Sequence, residues 1–216
     1  MSSLKHCVPS IFAILLMASL SFGETIVHSA DAVLLSTLLN DGGTLTVGDK
    51  TFSDFTYSAV GDMPPATAVN VIPIIDDGDF GLRFQAGFID LVGGGASDSL
   101  ITFSVEAPAD YIVGANLFGN VDAASPGIAT ITETFLPEFS TTAITIASGV
   151  NLSASAAFDA PVQRLNVQKD ILLFAGESPA TLSFVDQTFP QVPEPSTALL
   201  LTFGVLGLLS GRRGRA

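Results

Sequence analysis

The side chains able to do chemistry in this 216-residue sequence are few, and most are carboxylates. The one local cluster is Asp76-Asp77-Gly78-Asp79, which sets three hard oxygen donors on a glycine turn. Ca²⁺ favours such oxygens, so Asp76, Asp77 and Asp79 are the candidate metal ligands and Ca²⁺ the one candidate cofactor. The run lacks the spacing and terminal Glu of an EF-hand loop, so a solvated acidic turn is the favoured reading, with Arg83 four residues beyond Asp79 to neutralise it. His28 is the only histidine beyond residue 6, and no cysteine follows Cys7. A Ser-His-Asp or Cys-His nucleophile needs a rigidly supported imidazole, which a histidine ahead of the first strand lacks. A zinc site of His and Cys fails on the same count. No GxxxxGK(S/T) and no helix-opening GxGxxG occurs, and Gly93-Gly94-Gly95 reads as a flexible loop. Two carboxylates across a cleft could hydrolyse a glycoside, but the sequence has no Trp and only Tyr57 and Tyr111 beside its Phe residues to offer a sugar platform. These residues predict no catalytic site and a protein that is not an enzyme.

The elements that would hold such side chains lie in residues 24–191, with 20 acidic residues against Lys50, Arg83, Arg164 and Lys169, a net of −16. That balance excludes nucleic acid as a partner, because phosphates require clustered cations. It reads as a solvated acidic surface that keeps a secreted domain soluble. With 48% apolar and 13% charged residues the chain is too apolar to be disordered. Period-two alternation between Gly, Asn, Asp and Pro predicts strands at 44–47, 52–59, 69–75, 81–86, 99–106, 111–118, 129–135, 143–147, 164–167, 171–174 and 181–189. Gly48-Asp49-Lys50 turns the chain, and Pro73 marks an edge strand or bulge. Only 31–40 reads as helix, on the stripe Val33, Leu34, Leu38 and Leu35. Many short strands without a repeat of 20 to 50 residues predict an all-β antiparallel β-sandwich or jelly-roll-like domain.

Both ends carry separate signals. Lys5 and His6, an apolar run over 8–20 and then Ser21-Phe22-Gly23 form the three parts of a signal peptide, 1–23, cut at the Gly23–Glu24 bond. Its removal takes away the only cysteine, so the mature domain forms no disulfide. At the other end stand Val192, Pro193, Glu194 and Pro195, then an apolar run over 196–210, then Arg212, Arg213 and Arg215. The prolines fix φ and hold the tripeptide extended, ready for an enzyme's groove. About 15 helical residues span about 22 Å, enough for a transmembrane helix if the bilayer thins locally. The positive-inside rule leaves the three arginines as a cytoplasmic basic tail and puts the prolines on the outer face.

In this order the tail, 192–216, closely resembles the PEP-CTERM sorting signal of exported bacterial proteins. The resemblance implies an exosortase, carrying its own catalytic cysteine, that recognises Pro193-Glu194-Pro195 and removes the helix and arginine tail. It implies as partners the secretion translocon, the exosortase, the inner membrane before processing and extracellular polysaccharide, with a biofilm-like matrix or the cell surface as destination. The stretches 38–57, 129–135 and 169–189 more weakly resemble patterns that recur among exported PEP-CTERM proteins of unassigned role. The expected function is that of a non-enzymatic exported surface or matrix protein. The alternatives are a carbohydrate- or Ca-dependent binding module of the envelope and a secreted hydrolase.

Overall fold

A computed structural model of the chain describes residues 26–27, 31–40, 42–108 and 110–193. The expected signal peptide, the membrane helix over 196–210 and the arginine tail lie outside these residues, as does His28. Among the described residues no helix is long and apolar enough to cross a membrane.

Alternation becomes strand nearly throughout: β1 (Ile26–Val27), β2 (Val33–Leu34), β3 (Thr44–Val47), β4 (Lys50–Val60), β5 (Asn70–Asp76), β6 (Asp79–Asp90) and β7 (Ser97–Glu106). Then come β8 (Asp110–Gly119), β9 (Ile128–Phe135), β10 (Phe139–Ala147), β11 (Ser153–Val162), β12 (Arg164–Phe174), β13 (Ala180–Thr188) and β14 (Gln191–Pro193). One short helix, α1 (Leu35–Leu39), follows β2. The strands form two sheets, ordered β1-β3-β4-β7-β12-β9-β10 and β11-β8-β13-β6-β5-β2, with β14 also paired to β8. Among the described residues only β1 and β3 pair in parallel. The architecture is the expected antiparallel β-sandwich.

Inward residues of both sheets fill the space between them. Phe103 of β7 lies 6.1 Å from Phe52 and 5.8 Å from Phe55, both of β4, and reaches Phe84 of the facing sheet at 5.7 Å. Offset and tilted rings at these separations are favourable beyond the area they bury. Phe189, just past β13, closes the cluster 6.0 Å from Phe52.

Four local readings change. The helix predicted over 31–40 shrinks to Leu35–Leu39, because Val33 and Leu34 pair with Val71 and Asn70 instead. The strands expected at 164–167 and 171–174 are one, β12, whose central Lys169 points inward. Lys50, expected in a turn, opens β4 and is fully buried. The strand β11, not expected from the sequence, is mostly Ser and Ala with Phe158, Asp159, Pro161 and Val162, and its small side chains carry little apolar contrast. Pro73 lies in β5, one strand in from the edge, but β2 covers only Asn70 and Val71. Beyond Val71 that side of β5 is an open edge, where no donor is required of Pro73.

Candidate functional site

The outer face of the second sheet carries a groove. One row across it reads Ser153, Phe118, Asp186 and Arg83, from β11, β8, β13 and β6. The next outward row reads Ser155, Asn116, Thr188 and Gly81. The row between, with Leu117, Gln187 and Leu82, is buried on the core side. A Cβ on Gly81 would come within 1.9 Å of the Gln187 carbonyl oxygen, so β6 and β13 approach closely only because glycine stands there. Beside these rows a cavity of about 420 Å³ is lined by Asp76, Asn116, Phe118, Ser153, Ser155 and Asp186 among others.

Its polar groups are held in place. Arg83 donates through Nε to Asp186 Oδ1 at 2.6 Å and through Nη2 to Oδ2 at 2.8 Å, a two-pronged pair that fixes both side chains. Hydrogen bonding to Asp186 raises the Arg83 pKa further. The guanidinium also lies 4.3 Å from the Phe184 ring centre, and Phe184 is 5.7 Å from Phe118. Phe118 keeps 43% of its surface exposed. Asn116 donates through Nδ2 to Thr188 Oγ1 at 3.3 Å and, at 3.5 Å, to Asp79 Oδ2.

Of the predicted metal ligands, Asp76 and Asp79 face each other as the last pair of the β5–β6 hairpin, and Asp77-Gly78 is its turn. Both turn residues have positive φ, 48° and 90°, the signature of a two-residue turn that an Asp-Gly pair favours. Asp76 reaches the groove. The Asp79 carboxyl is pushed above its ordinary pKa by burial, with Asp77 and Asp76 adding to the rise and Lys50 opposing it. Arg83 does not neutralise this turn; it is held by Asp186. Among the described residues no group of three or more His, Cys, Asp or Glu side chains converges to hold a metal ion.

A second polar patch lies on the outer face of the first sheet, a groove of about 360 Å³ that includes Asp54, Ser104, Arg164 and Asn166. Arg164 is already shared between Glu106 at 2.6 Å and Asp54 at 2.8 Å. No exposed ring accompanies it among the lining residues.

Sequence reasoning missed the polar groups inside the sandwich. The two lysines of the described residues, Lys50 and Lys169, are both fully buried, and each donates to a glutamine side-chain oxygen. Lys50 donates to Gln191 of β14 and, at 3.3 Å, to Asp49. Lys169 donates to Glu133, its cross-strand partner on β9, and at 2.8 Å to Gln187 Oε1 on β13 of the facing sheet. The signal was present in the alternation: Lys169 shares its phase with Leu165, Val167, Ile171 and Leu173, and Glu133 shares its phase with Ile131 and Phe135. Burial lowers the Lys169 pKa against the pull of Glu133, and burial raises the Glu133 pKa against the pull of Lys169. Of the predicted processing residues, Val192 and Pro193 belong to β14, paired with Tyr111 and Asp110 of β8. Glu194, Pro195, Arg212, Arg213 and Arg215 lie outside the described residues.

Residues 191–215 match the model of the PEP-CTERM protein-sorting motif. No curated protein matches the sequence. Among solved structures, TmCBM61 in complex with beta-1,4-galactotriose shares 14% identity over 62% of this chain and 88% of that one, with a TM-score of 0.28. The mannan-recognising carbohydrate-binding module TmCBM27 shares 7% over 63% and 99%, also at 0.28. The enzymatically active domain of Bacteriophage CBA120 tailspike protein 4 shares 12% over 63% and 19%, again at 0.28. Likenesses at this level assign neither architecture nor ligand.

Proposed function

We propose, from a chain whose residues 191–215 carry the PEP-CTERM protein-sorting motif, that this is a non-enzymatic exported protein whose β-sandwich is handed to the cell surface or matrix by an exosortase. The signal peptide over 1–23 starts export, the apolar segment over 196–210 holds the chain in the inner membrane, and cutting at Pro193-Glu194-Pro195 frees residues 24–191. One observation supports this reading: β14, the last strand among the described residues, is made of the motif's first residues, Gln191–Pro193, so the sorting motif follows directly on the sandwich in the chain. Replacing Pro193, Glu194 and Pro195 by alanine should leave the full-length form in the membrane fraction. Release of an unchanged product would sink the assignment. Intact mass of the wild-type product should show a chain that begins near Glu24 and ends near Pro193–Pro195.

The groove supports a second reading of what the released domain does. A neutral oligosaccharide presents apolar C–H faces and many hydroxyls. Phe118 offers an apolar ring, Asp76 and Asp186 offer acceptors, and Asn116 offers an amide, within a volume usual for small-ligand sites. The acidic surface disfavours acidic polymers as ligand. Titration with neutral oligosaccharides in the presence of Ca²⁺ should raise the melting temperature if the groove is used, and a chelator should reverse whatever part of the rise depends on Ca²⁺. Phe118→Ala should abolish that rise.

A further inference from the structure

Lys169, Glu133 and Gln187 meet in the middle of the sandwich with no solvent exposure at any of the three. The amine belongs to β12 and the carboxyl to β9, both in the first sheet, while the amide comes from β13 in the second. The Lys169 Nζ lies 2.8 Å from Gln187 Oε1, and one C=O bond of about 1.2 Å separates that oxygen from the amide carbon, so the amine stands within about 4 Å of an electrophile. Glu133 Oε1 and Gln187 Nε2 make no hydrogen bond of ordinary geometry, although the Gln187 amide is near enough to the Glu133 carboxyl to pull its pKa down. Two buried polar atoms held this loosely are poorly satisfied in a purely non-covalent arrangement. They are also the two atoms that an acyl transfer would employ, one as proton carrier and one as leaving group.

We propose that Lys169 and Gln187 join in an intramolecular amide that welds the two sheets, with Glu133 carrying the protons. The Lys169 amine attacks the Gln187 carbonyl carbon while the Glu133 carboxylic acid protonates the carbonyl oxygen. The carboxylate then takes a proton from the attacking nitrogen and delivers it to Nε2. The carbon–Nε2 bond breaks, the oxygen's proton returns to Glu133, and ammonia departs. One amide replaces another, no electrons change hands, and the carboxyl ends as it began. Burial pushes both groups the way the step needs, toward the neutral amine and the neutral acid, against their mutual attraction. The dry core keeps water from competing as nucleophile.

Lys50 provides an internal contrast. It too donates to a glutamine oxygen and stands beside a carboxylate with one buried unpaired oxygen, Asp49 Oδ2, but Gln191 Nε2 is already bound to Asp110 Oδ2 at 3.0 Å, so the amide nitrogen there is held and not free to leave, and the Asp49 side chain is 23% exposed. Lys50 stays an ion-paired lysine.

The test is a mass measurement on the full chain after denaturation and trypsin. Trypsin does not cut after an acylated lysine, so the peptide beginning at Leu165 should run uncut through Lys169 and weigh about 17 Da less than its sequence, the mass of one ammonia. Cleavage after Lys169 with unmodified masses would overturn the proposal. A loss of about 18 Da that joins this peptide to the one holding Glu133 would overturn the choice of Gln187, because it would report condensation with the carboxyl instead. Glu133→Gln keeps the side-chain size and should restore full mass and cleavage at Lys169, with unchanged far-ultraviolet dichroism as the check on folding. A light peptide in that variant would overturn the part given to Glu133.

Discussion

A carboxyl that is harder to ionise when folded makes the protein lean toward acid. Asp79 is raised by burial and by its two acidic neighbours in the turn. Asp170, on the outer face of β12, is raised by burial and by Asp98, its diagonal neighbour on β7. For such groups the folded state binds the proton more tightly than the unfolded chain, so stability grows as pH falls through the folded pKa and is lost again as pH rises above it. The melting temperature should therefore be higher near about pH 5 than near about pH 7.5. Asp170→Asn removes a like-charge neighbour at neutral pH and should gain about 0.5 kcal/mol there, while flattening the pH slope. A melting temperature that drops between those two conditions, or a variant no steadier than the parent, would contradict this account. The four cations of the domain leave little to offset the repulsion: two are in the core and two are bound to carboxylates.

At the scale of elements, close strand approach is a sharper constraint than hydrophobicity. Gly81→Ala would drive a methyl group into the Gln187 backbone, where no flexible side chain can yield, and should cost about 1–3 kcal/mol in urea unfolding. Gly87→Ala, in the same strand with open space around it, is the control and should cost far less. Most strands were legible because their inward and outward residues alternate. The exceptions have physical causes. Lys169 interrupted the apolar phase of β12 and made one strand read as two, and β11 hid because serine and alanine differ little in hydropathy. The hairpin turn at Asp77-Gly78 was legible as a turn, and Asp76 as a candidate. The rest of the groove was not, since Phe118, Asp186 and Arg83 come from three strands that neighbour one another only in the folded sheet. The buried amine, carboxyl and amide were separated in the same way.

For the whole molecule, the sandwich and its tail divide the work. The tail over 191–215 addresses the chain, and the domain ahead of it presents an acidic exterior with one ring-bearing groove. The two can be separated by experiment: Phe118→Ala should leave sorting and fold intact, because the ring is 43% exposed, whereas Phe84→Ala, fully buried, should cost about 3–5 kcal/mol and reduce the amount of protein that reaches the surface. Pulse-labelled fractionation of the two variants distinguishes a binding defect from a folding one.

The open side of β5 has a consequence for the domain at high concentration. An uncovered strand offers a ladder on which a second copy could dock, and Ile75 beside it is 67% exposed. Pro73 interrupts that ladder in its middle. Pro73→Val would supply the absent donor and a residue that favours extended chain. Concentrated solutions of that variant should grow thioflavin-positive fibres while the parent stays monodisperse by light scattering. On this view one imino acid keeps the folded domain from polymerising through its own edge.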